Sequence, residues 1–214
     1  MDKLPVSIVV PLTTSRREFF ETECLPSIIQ NSPDEVIVID DPGKAPYKRN
    51  LGLSKISGKN RYVLFSDDDI IYPDDWLSRM IKTIEHDNSV MFSYTGYIAQ
   101  GHGKLAGSKD WNFNFNAPEF NLNRLKKGNY ISTMSLIKSE YVIPWDEDSI
   151  MCRFQDWEYF LRMCLKFNKG GKMLHYPFIA NYFEDSLHRN WPKNVNTIIK
   201  EYIHKKLLID KDYG

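Results

Sequence analysis

Cysteine is scarce in this chain, and the cysteines present do not suggest a pairing. Cys24, Cys152 and Cys164 are odd in number and lack the close spacing of a metal site. A disulfide-stapled scaffold is not expected; buried, reduced thiols in a cytoplasmic protein are. Long hydrophobic runs are missing too, and no stretch approaches the ~18 apolar residues of a membrane span. The opening MDKLPVSIVVPL has a short apolar segment and no small-residue cleavage site, so it reads as a strand and not as a signal peptide. Neither sign of charge is in excess, since 28 basic residues balance 28 acidic ones. Bulk attraction to nucleic acid or to an anionic membrane is therefore not indicated. Glycine is absent from PLTTSRREFF, the turn after the first strand, so no Gly-rich phosphate loop stands there.

What is present is 214 residues, 42% hydrophobic and 14% aromatic, enough for a sizeable core and suited to a ring-lined cleft. No internal repeat or clear linker divides them, so one domain is expected. VSIVVP (Val6 to Pro11), EVIVID (Glu35 to Asp40) and RYVLFS (Arg61 to Ser66) read as strands buried on both faces. Between them SRREFFETECLPSIIQN reads as a helix with a kink or a break at Pro26, and YKRNLGLSKISG as a short helix closed by Gly58. PDDWLSRMIKTIEHD is a helix started by Pro73, Asp74 and Asp75, followed by a fourth strand, SVMFSYTGYI. This alternation predicts a mostly parallel α/β sheet over about residues 1–98, whose ligands bind beyond the carboxyl ends of the strands.

The second half, about 99–190, differs. Residues 99–128 are rich in Gly, Asn and Lys, with Trp111, Phe113 and Phe115 interspersed, and read as a long flexible loop or small excursion of lid type. NYISTMSLI is expected as a strand, RFQDWEYFLRMCLKF as an amphipathic helix, KMLHYP and FIANYF as two short strands, and 191–214 as a closing basic helix.

Asp40, Asp41 and the run Asp67 to Asp69 all fall at strand ends. An acidic run there is also an ordinary solvated turn or cap. The following helix, however, has its own acids at Asp74 and Asp75. Adjacent carboxylates become tolerable around a divalent cation, and oxygen ligands suit Mg2+ or Mn2+. Without a cation they repel, so removing one is expected to leave stability unchanged or raised.

The ordered set VSIVVPLTT, EVIVIDD, KRNLGLSKISG, FSDDDIIYPDDWL and NYISTMSLIKSEYV with FQDWEYFLRM resembles the GT-A glycosyltransferases, most closely the inverting family two, over about residues 4–190. The resemblance implies a Rossmann-like, mostly parallel central sheet flanked by helices, with a smaller acceptor-side subregion. It implies metal-dependent transfer of a hexose or deoxyhexose from a UDP-sugar to a glycan or other hydroxyl acceptor. Pro11, Leu12, Thr13, Asp40, Asp41, Arg49, Asn50, Asp67 and Asp68 would hold the nucleotide sugar. The metal would fall to Asp67 and Asp69, with His188 as the late histidine. The alternative register, Ser66 and Asp68, puts a poor ligand on Mn2+. Asp156 would be the general base and Trp157 a wall of the acceptor site. Gln155 departs from the family, which usually has glutamate there.

Other readings stay open. Arg49 is also an ordinary helix arginine, Asp40 and Asp41 belong to an Asp-Asp-Pro-Gly turn, and Asp156 is also a helix N-terminal acid. Retaining transfer, a sugar nucleotidyltransferase and a non-catalytic sugar-nucleotide-binding domain are the alternatives. The chain is also readable as one domain of a longer polysaccharide-building enzyme.

Overall fold

The computed structural model of the chain describes residues 2–184 and 193–209. Its elements run β1 (Leu4–Pro11), α1 (Arg17–Phe19), α2 (Leu25–Gln30), β2 (Pro33–Ile39), α3 (Ala45–Lys55), β3 (Tyr62–Phe65), β4 (Ile70–Ile71), α4 (Trp76–Ile84) and β5 (Val90–Gly101). They continue β6 (Phe113–Phe115), α5 (Leu122–Lys127), β7 (Leu136–Lys138), α6 (Gln155–Phe167), β8 (Gly170–Tyr182) and α7 (Lys193–Ile209). One sheet takes the order β2-β1-β3-β7-β5-β8-β4, with β6 paired to β5.

β1 lies between β2 and β3, parallel to both. Its β-branched residues alternate between faces. Val6, Ile8 and Val10 join Phe20, Ile28, Trp76 and Met80 on one side, under α2 and α4. Val9 joins Phe65, Phe92, Trp157 and Phe160 on the other, under α6. A sheet covered on both faces needs strands that are apolar throughout, which is why β1 and β3 carry almost no polar residues. Because β1, β2 and β3 share a direction, their carboxyl ends open on one edge. Gly52 brings α3 onto β1; a Cβ there would lie 2.3 Å from Val9 Cγ1. That close approach seats Arg49, one turn earlier, against the sheet.

The sheet flanked by helices is the expected one, with β7 antiparallel to β3 and β5 and β4 antiparallel to β8. Several finer expectations are corrected. β2 is an edge strand, so it is half-exposed where burial on both faces was expected. The kink at Pro26 is a π turn over Phe20–Cys24, which removes the need for the missing proline N–H. α4 starts only at Trp76, so Asp74 and Asp75 precede it; Asp75 instead bonds Arg79 at 2.9 Å. Of NYISTMSLI only its last two residues belong to a strand. KMLHYP and FIANYF are one strand, β8, because Pro177 falls where the register against β5 slips and no ladder bond is lost. The 99–128 segment carries β6 and α5. No helix among the described residues is long and apolar enough to cross a membrane.

Candidate active site

The three aspartates follow β3 directly and are separated by where they point. Ser66 is fully buried; its Oγ accepts from the Tyr72 hydroxyl at 2.8 Å. Asp68 is 2% exposed and turns inward, accepting the Thr13 N–H at 2.5 Å and Arg16 Nη1 at 3.1 Å. Asp69 accepts from the same Arg16 nitrogen at 2.6 Å. Its main-chain carbonyl is held by the Asn181 N–H at 3.0 Å and by Asn181 Nδ2 at 2.9 Å. Asp67 accepts from Arg49 Nη2 at 2.6 Å. Two guanidinium groups thus hold three adjacent carboxylates together. The compensation is incomplete at Asp69. Burial pushes its carboxyl up to about 8; Arg16 pulls it down, and Asp67 and Asp68 push it further up.

Arg49 links this cluster to the second half of the chain. It is 4% exposed, and its guanidinium lies 4.4 Å from the centre of the Trp145 ring. Its Nη1 donates to Gln155 Oε1 at 3.2 Å, and Gln155 Nε2 donates to the Met151 carbonyl at 2.9 Å. Arg49 Nε is buried without a hydrogen-bond partner among the described residues. Gln155 opens α6, and Asp156 follows it. The turn into α6 passes through Phe154 at φ 56°, a left-handed conformation that a bulky residue adopts only under constraint. Asp156 is half-buried, accepting the Trp157 N–H at 2.9 Å and Asn129 Nδ2 at 2.8 Å. Burial pushes its carboxyl up to about 6; Arg49 holds it down and Asp67 pushes it up. Asp67 and Asp156 therefore act on each other across one arginine. Such an arrangement offers a cation-binding, diphosphate-binding edge on one side and a proton acceptor of raised pKa on the other.

The family model for glycosyl transferase family 2 matches residues 44–145. A comparison with curated protein sequences finds no match. Among solved structures, the S. aureus TarS 1-349 structure superposes with a TM-score of 0.56 at 16% identity, over 85% of this chain and 60% of that one. Glucosyl-3-phosphoglycerate synthase from Mycobacterium tuberculosis, solved with Mn2+, UDP and glucosyl-3-phosphoglycerate, gives 0.52 at 13% identity, over 95% of this chain and 78% of that one. The catalytic domain of Drosophila beta1,4galactosyltransferase 7, in complex with xylobiose, gives 0.54 at 12% identity, over 94% of this chain and 80% of that one. The chain has the GT-A fold of these glycosyltransferases, and its residues 44–145 match family two. It spans about 60% of the length of the TarS structure.

The expected donor residues divide. Pro11 ends β1, and the carbonyl of Leu12 accepts from Lys48 Nζ at 2.6 Å. Thr13, Asp67, Asp68, Asp69 and Arg49 are brought together as described. Asp40 is exposed and paired with Arg17, and Asp41 lies exposed beside it. Asn50 is not brought to the aspartates. Its side chain bonds both the N–H and the carbonyl of Trp145, at 2.7 and 3.0 Å, and Glu147 at 2.6 Å. Trp157 is fully buried, and its indole N–H donates to the Leu125 carbonyl at 2.5 Å. It is a core ring and offers no open wall to an acceptor. His188 lies outside the described residues.

Sequence reasoning missed Arg16, Asn129 and Asn181. Arg16 was visible only as one of two arginines after Thr13. The others are joined to the aspartates or to Asp156 by strand pairing and loop packing that leave no local pattern. His102, placed in a flexible stretch, is instead fixed: its Nε2 lies 2.7 Å from Asn181 Oδ1 and its ring stacks 4.8 Å from Phe183.

Among the described residues no three His, Cys, Asp or Glu side chains form a metal shell. The donor chemistry nonetheless fits a divalent cation. Asp67 and Asp69 supply only oxygen, and Ser66 is sealed in the core. Mg2+-type sites commonly use one or two carboxylates and complete their shell with substrate phosphates and water.

Proposed function

We propose that this glycosyltransferase moves a hexose or deoxyhexose from a UDP-sugar to a hydroxyl of a glycan or other acceptor, with inversion at the anomeric carbon. The observation that carries the reading is the Arg49 junction, where one buried guanidinium bonds Asp67 and holds down the carboxyl of Asp156. UDP as donor nucleotide draws support from TarS and the M. tuberculosis synthase, both solved with UDP. That synthase was solved with Mg2+ and with Mn2+.

Asp67 and Asp69 would hold Mn2+ or Mg2+, which when bound supplies Lewis-acid stabilisation of the departing diphosphate. Thr13, locked to Asp68, shapes the loop that meets the nucleotide. Arg49 adds fixed positive charge at the same edge. Asp156 accepts the proton of the acceptor hydroxyl as its oxygen attacks the anomeric carbon. The bond from that carbon to the diphosphate oxygen breaks, and UDP leaves. Asn129 and the Trp157 N–H keep the Asp156 carboxylate aimed.

Calorimetry with UDP tests the donor and metal parts together. In Mn2+ the affinity should exceed that in EDTA by at least about tenfold, about 1.4 kcal/mol. Equal affinity in the two buffers would remove the metal from the account.

A further inference from the structure

The two arginines that meet the aspartates are held very differently. Arg49 belongs to α3, an 11-residue helix, and its side chain is 5% exposed. The Trp145 ring and Gln155 fix it from the second half of the chain. Arg16 instead ends a single 3-10 turn, Thr14–Arg16, that leads into α1. No residue of that turn or of α1 is fully buried. A segment with so little buried apolar surface moves at low cost. The Arg16 guanidinium also lies 5.7 Å from the centre of the Phe183 ring.

The turn does not need Asp69 as an anchor. The Thr13 N–H donates to Asp68 Oδ2 at 2.5 Å, and Arg16 Nη1 donates to Asp68 Oδ1 at 3.1 Å. Asp68 thus ties the turn to the end of β3 through both of its oxygens. Yet the same Nη1 makes its shorter contact, 2.6 Å, with Asp69 Oδ2. Asp69 is also the more open of the two, with a side chain 16% exposed against 3% for Asp68. Arg16 therefore rests its charge on a carboxylate that a divalent cation would use.

A guanidinium and a metal ion on one carboxylate repel each other, so each weakens the hold of the other. A diphosphate changes the balance. Arginine pairs with phosphate oxygens in a two-pronged, charge-assisted geometry, and a diphosphate offers more negative charge than one carboxylate. We propose that Arg16 is a displaceable counter-cation: it competes with the divalent metal for Asp69 and passes to the donor diphosphate when the nucleotide binds. Metal and nucleotide then strengthen each other's binding through this one side chain. The role rests on the donor-site reading above.

Calorimetric titration with Mn2+ alone, repeated at saturating UDP, tests it. Wild type should bind Mn2+ at least about tenfold more tightly with UDP than without. Arg16→Gln should bind Mn2+ alone at least about tenfold more tightly than wild type. Arg16→Met, which keeps the length of the side chain without its charge, should do the same. With UDP present neither variant should bind Mn2+ more tightly than wild type, so the coupling shrinks by that factor. A merely structural arginine gives the opposite sign, because its loss would loosen the carboxylates and weaken the metal. Circular dichroism reports folding, and either neutral variant suffices. Neutral variants that bind Mn2+ alone no more tightly than wild type overturn the proposal. So does failure of both to fold, since a side chain that the fold requires is not displaceable. Wild type that binds UDP and Mn2+ without any coupling also overturns it. Wild type that binds no Mn2+ even with UDP overturns the metal reading beneath it, and the role of Arg16 with it.

Discussion

Asp156→Asn should lower turnover by about 100- to 10,000-fold, the usual contribution of a general base, with little change in UDP affinity. Asparagine keeps the shape and an oxygen for one of the two donors, Trp157 N–H or Asn129 Nδ2, but cannot take a proton. The pH dependence adds a second readout. The carboxyl titrates at about 6, raised from 3.8 first by burial. The base works only when ionised, so wild-type turnover should rise with pH through about 6 and level off above it. Stability moves the other way. The folded state holds this proton more tightly than the unfolded chain, so the group's stabilising contribution is complete below pH 3.8 and is lost as pH rises through about 6. The asparagine variant should therefore melt no lower than wild type at pH 8. A variant within a few-fold of the wild-type rate would leave Asp156 as a helix-end acid.

Asp67→Asn and Asp69→Asn should each reduce turnover by about 100- to 1,000-fold or more, the scale seen when one preorganised charge-stabilising group is removed. The geometry revises the expectation that losing a carboxylate costs no stability. Asp67 is bonded to Arg49, a guanidinium only 4% exposed, and its removal strands that charge. Asp67→Ala should melt below Asp67→Asn, because asparagine still offers an acceptor oxygen. Asp67 is itself about a third exposed, so water softens the loss. Near-normal turnover in both asparagine variants would make the run a structural turn.

Much of this was legible beforehand where the pattern is local. β1 and β3 declare themselves as unbroken apolar runs, and an acidic run after β3 must sit at a strand end. α6 shows its apolar stripe, which places Asp156 in its first turn. Pairing between distant segments was not legible. β8 reads as two strands because Pro177 interrupts it, and only the slipped register against β5 makes the proline harmless. β6 is three residues long and exists because β5 extends far enough to pair with it. At the site, the repulsion within the aspartate run suggested a cation. The sequence could not show that Arg16 and Arg49 reach it from two different segments. Trp157 looked like a cleft residue beside Asp156. One position along a helix turns a side chain by about 100°, which sends the indole into the core.

The central claim is that the strand-end carboxylates and Asp156 form one site for metal-dependent inverting transfer. Its most direct test is a screen of UDP-sugars with Mn2+ and a genuine acceptor, reading released UDP and the anomeric configuration of the product by proton NMR. The account predicts UDP release that EDTA abolishes and a product of configuration opposite to the donor. Retention of configuration, or turnover undiminished by EDTA, would contradict it.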